Sequence, residues 1–372
     1  MRPWHVERIA RLGALTMSHD PYAGHGGRQP NPRFASDNAG TVHPAVLQAI
    51  HQANHGAALA YGADPWTTSA TADIREALGM PEAAVLPCFG GTGTNILALR
   101  VLASRIESVL CADAAHLVAA ETAAPQVTAG VQLILVPTIE GKMTPEALRS
   151  AMPARLGIHR PRPAVLSVTQ ATEFGTVYTI DELQGLTETA HELGLRVHLD
   201  GARLFHAAHS LDCSLAALTG EIGIDAVSLS GTKNGMLFAE ALVVRDPTLA
   251  EDAGYHRKQI TQLASKMRFL SCQFSAVLRH NLWRDIARQA MDNANHLAAA
   301  VAHLPGVHLE QKVETNAVFA RLPRAAALAL QQQWAFALWR DYGDTVVARW
   351  MTSYEVTTHE IDQFVEDLKA AL

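Results

Sequence analysis

From Phe34 onward the chain alternates short, unbroken apolar runs with segments in which apolar residues recur every three or four positions. Unbroken runs suit strands buried on both faces, and the wider spacing suits helices with one buried stripe. The strand-like runs lie at 83–88 (AAVLPC), 108–112 (SVLCA), 131–137 (VQLILVP), 164–170 (AVLSVTQ), 195–200 (LRVHLD) and 225–230 (DAVSLS). Among the helical segments between them, TIDELQGLTETAHELG opens with Thr179 and carries Glu182 three positions on, the signature of a capping box. This alternation predicts an α/β fold on a mostly parallel sheet with helices on its faces. Past about Leu282 the pattern changes to a long helical stretch reaching His303, a strand pair around VHLEQ and NAVFARL, and a last amphipathic segment over 358–372. A second, smaller α+β domain is expected there. The predicted division is an N-terminal arm over 1–33, irregular across the Gly-, Pro- and Asn-rich DPYAGHGGRQPNPR, a large domain over 34–282 and a small domain over 283–372.

Composition agrees with a large buried core, since 372 residues are 48% hydrophobic and only 18% charged. A net charge of −6 without any Lys/Arg run argues against nucleic acid or an anionic membrane as partner, and favours a small molecule. Cys88, Cys111, Cys213 and Cys272 form no CxxC pair and read as buried thiols in a reducing compartment. The opening MRPWHVERIARLGALTMSHD lacks the apolar centre of a secretory peptide, and no run is long enough to span a bilayer, so a soluble, cytoplasmic protein is expected. His51 with His55 and His206 with His209 have helical spacing. No His-Glu-x-x-His site accompanies them, so they read as helical-surface histidines and no catalytic metal is expected.

Ligands of open α/β sheets bind beyond the carboxyl ends of the strands, and four such places carry unusual residues. In CFGGTGTNILALR a glycine-rich turn separates a strand from a helix beginning near Thr94, where unpaired N–H groups and the helix dipole make a site for phosphate. It is neither a Walker loop nor a complete dinucleotide fingerprint, and a turn that simply needs glycine is the plainer reading. In ADAAHLVAAE, His116 follows the next strand; alone it reads as a satisfied surface or core histidine. In VHLDGARLFHAAH a buried run ends in Asp200, whose carboxylate is costly to desolvate without a cation opposite. Gly201 there permits a close approach and Arg203 follows; a structural ion pair is the alternative. In DAVSLSGTKNG, Lys233 sits in a glycine-flanked loop where partial desolvation makes a neutral, nucleophilic amine accessible, although most lysines are merely surface residues.

Taken together, a phosphate cradle, a ring-stacking histidine, an aspartate for a pyridinium nitrogen and a lysine for a Schiff base are the parts of a pyridoxal phosphate site. The positive group opposite Asp200 is then the protonated ring nitrogen. Two readings from other classes stay open. A nicotinamide-dependent oxidoreductase would use the Gly90 turn, but the third glycine is missing and Glu107 precedes its strand where the ribose contact should follow it. A non-catalytic binding protein would leave Lys233 unreactive.

The motifs FASDNAG, AYGADPWT, GGTGTN, DAAHL, VTQATEFGTVYTIDEL, HLDGARL, SLSGTKNG and SKMRFLSCQ resemble those of the low-specificity L-threonine aldolases, in the aspartate-aminotransferase-like, fold type I superfamily of pyridoxal phosphate enzymes. The resemblance runs over about 34–352. It implies Lys233 as the Schiff-base lysine, Asp200 as the partner of the pyridine nitrogen, His116 as the stacking residue, and Gly91 and Thr92 as the phosphate turn. Arg203 joins this cofactor-binding set and, with Ser36 and Arg349, is implied to hold the substrate carboxylate, which suits the bidentate guanidinium fork. His116, or a water it positions, is implied as the general base. Two departures from the commoner family form are Gly-Thr-Lys-Asn-Gly around the lysine and Gly90 in place of a serine. A third is ATEFG where that form has Asn-Thr-His. The implied reaction cleaves L-threonine, L-allo-threonine or a related β-hydroxy-α-amino acid such as phenylserine to glycine and an aldehyde; β-elimination and transamination use the same parts. Related enzymes are homotetramers, dimers of dimers, which makes Lys258 and Arg268 candidates for reaching a neighbouring subunit's phosphate.

Overall fold

The carboxyl ends of five strands and the start of a sixth are what matter for chemistry, and the computed structural model shows how they are brought to one edge. It describes residues 29–153 and 157–372, so the expected arm lies outside the described residues over 1–28. The larger of two compact units, Val42–Ile286, carries β1 (Ala84–Cys88), β2 (Glu107–Ala112), β3 (Gln132–Val136), β4 (Arg162–Thr169), β5 (Arg196–Gly201), β6 (Ala226–Ser230) and β7 (Glu240–Val244). They form one seven-stranded sheet in the order β1-β7-β6-β5-β4-β2-β3. From β3 to β6 every neighbouring pair is parallel, whereas β7 runs antiparallel to both β6 and β1.

All six apolar runs form strands: at the two edges of the sheet β3 is buried only at Val136 and β1 only from Leu86 on, but β2 and β6 are buried throughout, and β4 and β5 at all but their first residue. Such runs belong inside a sheet covered on both faces. β7 was not expected as a strand. It is wholly buried, and it returns directly from the lysine turn as an antiparallel neighbour, which needs no crossover helix to announce it. The predicted capping box forms: the Thr179 hydroxyl accepts from Glu182 N and the Glu182 carboxylate from Thr179 N, opening the helix Ile180–Glu192.

Register does the rest. Thr169, the last residue of β4, stands beside Asp200 near the end of β5, and Asp200 beside Ser228 in the middle of β6. Glu240, first in β7, stands opposite both Cys88, last in β1, and Ser230, last in β6. Gly201 extends β5 because a Cβ there would come within 2.8 Å of the Ser228 carbonyl oxygen. The close approach that glycine permits is thus that of the neighbouring backbone.

The second unit takes the described residues up to Thr41 together with Ala287–Leu372. The division falls at 41/42 and 286/287, where the sequence pattern suggested 33/34 and 282/283. Phe34 explains the first difference: it is fully buried against Phe364 and Trp334, with ring centroids 4.5 and 5.4 Å apart. Arg33 is also ion-paired with Glu355 and Glu360. A four-stranded sheet in the order β10-β11-β9-β8 is built from β8 (His308–Leu309), β9 (Ala317–Pro323), β10 (Ala337–Asp341) and β11 (Thr345–Met351), all antiparallel. The β8/β9 pair was expected; β10 and β11 were not, since β10 turns outward at Arg340 and Asp341 and hides its pattern. The last helix, Thr358–Ala371, opens on a second capping box, Thr357 with Glu360, and buries Ile361, Phe364, Val365 and Leu368.

Among the described residues no helix is long and apolar enough to cross a membrane. The four cysteines are free; three are buried and Cys213 is half-buried, less covered than expected. His206 corrects another expectation: it is 1% exposed, an interior residue and not a helical-surface one.

Candidate active site

The helix after β1, Gly91–Leu102, begins one turn earlier than Thr94. Gly90 caps it without a side chain, and the first backbone bond is Thr94 N–H to Gly90 O at 2.9 Å. The N–H groups of the turn before it have no partner inside the helix, and the dipole adds partial positive charge. Gly91 and Thr92 are exposed, and nothing lies within 4 Å of the point where a Cβ on Gly91 would stand. An open, uncapped helix start of this kind fits a phosphate group. Beside it, Phe89 N–H donates to Gln262 Oε1 at 3.2 Å, a neighbour that no motif identified.

Asp200 is 4% exposed at the end of β5. Its Oδ1 accepts from Ala202 N–H and its Oδ2 from Asn95 Nδ2, both at 3.0 Å. The other hydrogen of that amide goes to Glu121 Oε1 at 2.9 Å, and His116 Nδ1 lies 2.9 Å from the same oxygen. A buried chain therefore runs from His116 through Glu121 and Asn95 to Asp200. The hydrogen bond to Glu121 raises the His116 pKa, against burial, with Glu173 and Asp200 also raising it through space. Each Asp200 oxygen keeps a lone pair beyond these bonds, so the carboxylate can accept from a pyridinium N–H as well. The residues present fit pyridoxal phosphate at both ends, phosphate and ring nitrogen.

Two residues before Asp200, His198 faces the same side of β5. Its ring spans Ser167 Oγ on β4 and Ser228 Oγ on β6, each at 2.9 Å. Burial pushes its pKa down to about 4, although Asp200 pulls the other way. His198 is neutral at pH 7 and serves the sheet.

Lys233 is half-buried in the short helical turn Thr232–Asn234 between β6 and β7. The turn is fastened at several points: Gly231 N–H to Ala239 O at 2.8 Å, Asn234 Nδ2 to Trp283 O at 3.2 Å, and Gly235 O from His43 N–H at 2.8 Å. Gly235 reverses the chain at φ 80°, a conformation that a side chain would strain. Under the turn lies Glu240, 4% exposed, whose Oε1 accepts from Thr232 Oγ at 2.6 Å and Ser230 Oγ at 3.2 Å.

Arg203 is buried at 8% exposure and immediately precedes the helix Leu204–Ser210. Ser36 and Arg349 belong to the other unit. There Ser36 caps a short turn, its hydroxyl accepting from Asn38 N–H at 3.1 Å. Arg349 lies on β11 with its guanidinium 5.0 Å from the Trp339 ring centroid. Lys258 sits 5.0 Å from the Tyr61 ring, and Arg268 lies over Phe269 while donating to Gly56 O at 2.9 Å. Sequence reasoning missed Asn95, Glu121 and Glu240. The last carried the same signal as Asp200, a lone carboxylate in an apolar run, LFAEALVV.

Comparison with known proteins gives a consistent result. The sequence model of the beta-eliminating lyase family matches residues 33–324. A low specificity L-threonine aldolase of Pseudomonas aeruginosa is 40% identical over 342 residues, 91% of this chain and 98% of the relative. A threonine aldolase structure from Leishmania major superposes with a TM-score of 0.86 at 28% identity, covering 92% of this chain and 99% of that one. A serine palmitoyltransferase from Sphingomonas wittichii, at 15% identity, shares the fold with a TM-score of 0.69, covering 99% and 96% of the two chains.

Proposed function

Because this chain belongs to the beta-eliminating lyase family, among the low-specificity L-threonine aldolases, we propose that it binds pyridoxal phosphate at Lys233 and cleaves β-hydroxy-α-amino acids to glycine and an aldehyde. L-Threonine, L-allo-threonine and phenylserine are the substrates in view. The observation that carries the reading is the placement of a buried, doubly hydrogen-bonded Asp200, an open glycine turn and a half-buried lysine turn at one edge of a single sheet.

When bound, the cofactor supplies an electron sink for the charge released at Cα. Gly91 and Thr92 anchor the phosphate by their N–H groups. Asp200, held by Asn95 and the Ala202 N–H, keeps a proton on the ring nitrogen by offering it a fixed negative charge. Lys233 would hold the cofactor through its side-chain amine. Arg203 binds the substrate carboxylate, a role that the family resemblance also gives to Ser36 and Arg349. That grip would orient the bonds at the substrate Cα and so select which of them is labile. His116 is the general base for the β-hydroxyl, directly or through a water. Its bond to Glu121 raises its pKa and so makes it a stronger base than an ordinary histidine.

Purified protein with added cofactor is expected to release aldehyde and glycine from at least one of these substrates, and Lys233→Ala to release none. Borohydride should trap the cofactor on Lys233. No aldehyde from any of the panel sinks the substrate assignment, and keto acid without glycine would reassign the chain to elimination or transamination. The reading extends to a cytoplasmic homotetramer with Lys258 and Arg268 directed at a neighbouring subunit. A fully active monomer in a solution mass measurement would end that part.

A further inference from the structure

Glu240 is a carboxylate the reaction does not use, buried where an ordinary protein would place an apolar residue. Its strand, EALVV, reads otherwise as the interior of a sheet, with all five β7 residues buried. Cys88 of β1 and Ser230 of β6 flank it in register. A hydroxyl links it to the site: Thr232, the residue before Lys233, donates to Glu240 Oε1 at 2.6 Å while accepting from Ala239 N–H at 3.1 Å. Thr232 is thus pinned from both sides, and the backbone that aims Lys233 is pinned with it.

We propose that Glu240 is a positioning residue for Lys233: through Thr232 it fixes the turn that presents the amine, and its negative charge favours the protonated state of that nitrogen. This inference rests on the reading that Lys233 bonds the cofactor. The geometry accommodates both charge states of Glu240, because hydroxyls can reverse. Thr232 and Ser230 donate to a carboxylate, and each has a lone pair for a protonated carboxyl. Burial raises the Glu240 pKa to about 7. The Thr232 and Ser230 bonds and the Lys233 charge hold it down, and Asp200 adds to the rise. The charged and titratable groups facing it are Lys233 on the turn, Asp200 on β5 and Cys88 on β1, whose thiol is itself pushed up to about 11, chiefly by burial.

The test uses full-length protein loaded with pyridoxal phosphate, comparing the parent with Glu240→Gln, Thr232→Val and Thr232→Ser. The visible band of the lysine-bound cofactor is titrated with alkali, and cofactor affinity is measured separately. Glu240→Gln should lower the band's titration midpoint by about one pH unit, the effect of losing one nearby negative charge. Thr232→Val should weaken cofactor binding about tenfold by releasing the turn, and Thr232→Ser, which keeps the hydroxyl, should restore it. A third readout uses protein without cofactor. A raised carboxyl pKa contributes stability that is full below 4.5 and is lost as pH rises through about 7, so the parent's melting temperature should sag across that window and the Glu240→Gln curve should not. If Glu240→Gln does not fold, the Thr232 pair decides alone. Unchanged midpoint and affinity in the variants overturn the proposal. A parent that forms no visible band overturns the reading beneath it, and the proposal with it.

Discussion

Asp200 and Glu240 are both carboxylates buried at the same edge of one sheet, yet they are solvated by opposite kinds of group. Asp200 accepts from the Asn95 Nδ2–H and a backbone N–H, both plain donors at those atoms. Protonating it would occupy a lone pair otherwise left for a cation opposite. Glu240 accepts from two hydroxyls, which serve an acid as readily as an anion. The difference teaches that burial alone does not decide what a carboxylate is for. The identity of its donors says whether its charge is meant to be permanent, as for a ring-nitrogen partner, or exchangeable, as for a group that tunes a neighbour.

The sharpest way to break the comparison is Asp200→Asn. An amide there presents an N–H to donors that have nothing to accept it, and it can no longer hold a proton on the ring nitrogen. Cleavage should fall on the order of 10³-fold, ~4 kcal/mol of transition-state stabilisation, measured as kcat on the best substrate. A rate within about tenfold of the parent would mean the donor argument misreads Asp200.

The smaller effect tests His198, a third buried titratable group, which like Glu240 is held by two hydroxyls. Its depressed pKa means that it contributes stability in full above 6.5, and that this is lost as pH falls toward about 4, because the unfolded chain binds the proton first. The loss over that window is about 3 kcal/mol. Melting temperatures of the parent should therefore drop on acidification through this range, and His198→Gln should flatten the drop while costing roughly 1 kcal/mol at pH 8. An equally steep acid limb in the variant would show that His198 is already charged when folded.

How much of this was legible in the chain depended on whether a signal was local. The inner strands β2, β4, β5 and β6 announced themselves because burial on both faces writes an unbroken apolar run, and the less buried edge strands β1 and β3 kept enough apolar residues to show as well. Asp200, Lys233 and the glycine turn stood out because a charge or a glycine cluster interrupts such a run at its end. β10 gave no such signal, since an edge strand with Arg340 and Asp341 turned to solvent looks like loop. Asn95 was invisible for a different reason. Its meaning lies in Asp200 and Glu121, 105 and 26 positions away, and a lone amide within a buried helix says nothing until the fold brings them together. The unit boundary also moved because Phe34 follows the aromatic cluster it packs in, which no composition shift marks.

The antiparallel placement of β7 has an outcome for the growing polypeptide. The glycine turn leaves β1 and the lysine turn enters β7, and these two strands are zipped directly to each other although more than half of the unit separates them along the chain. A nascent chain that has emerged only as far as β6 already owns the aspartate and the phosphate turn, but has no ladder to set the distance between them and the amine. The edge on which the glycine turn, Asp200 and the lysine turn are set in register is therefore complete only once β7 is in place.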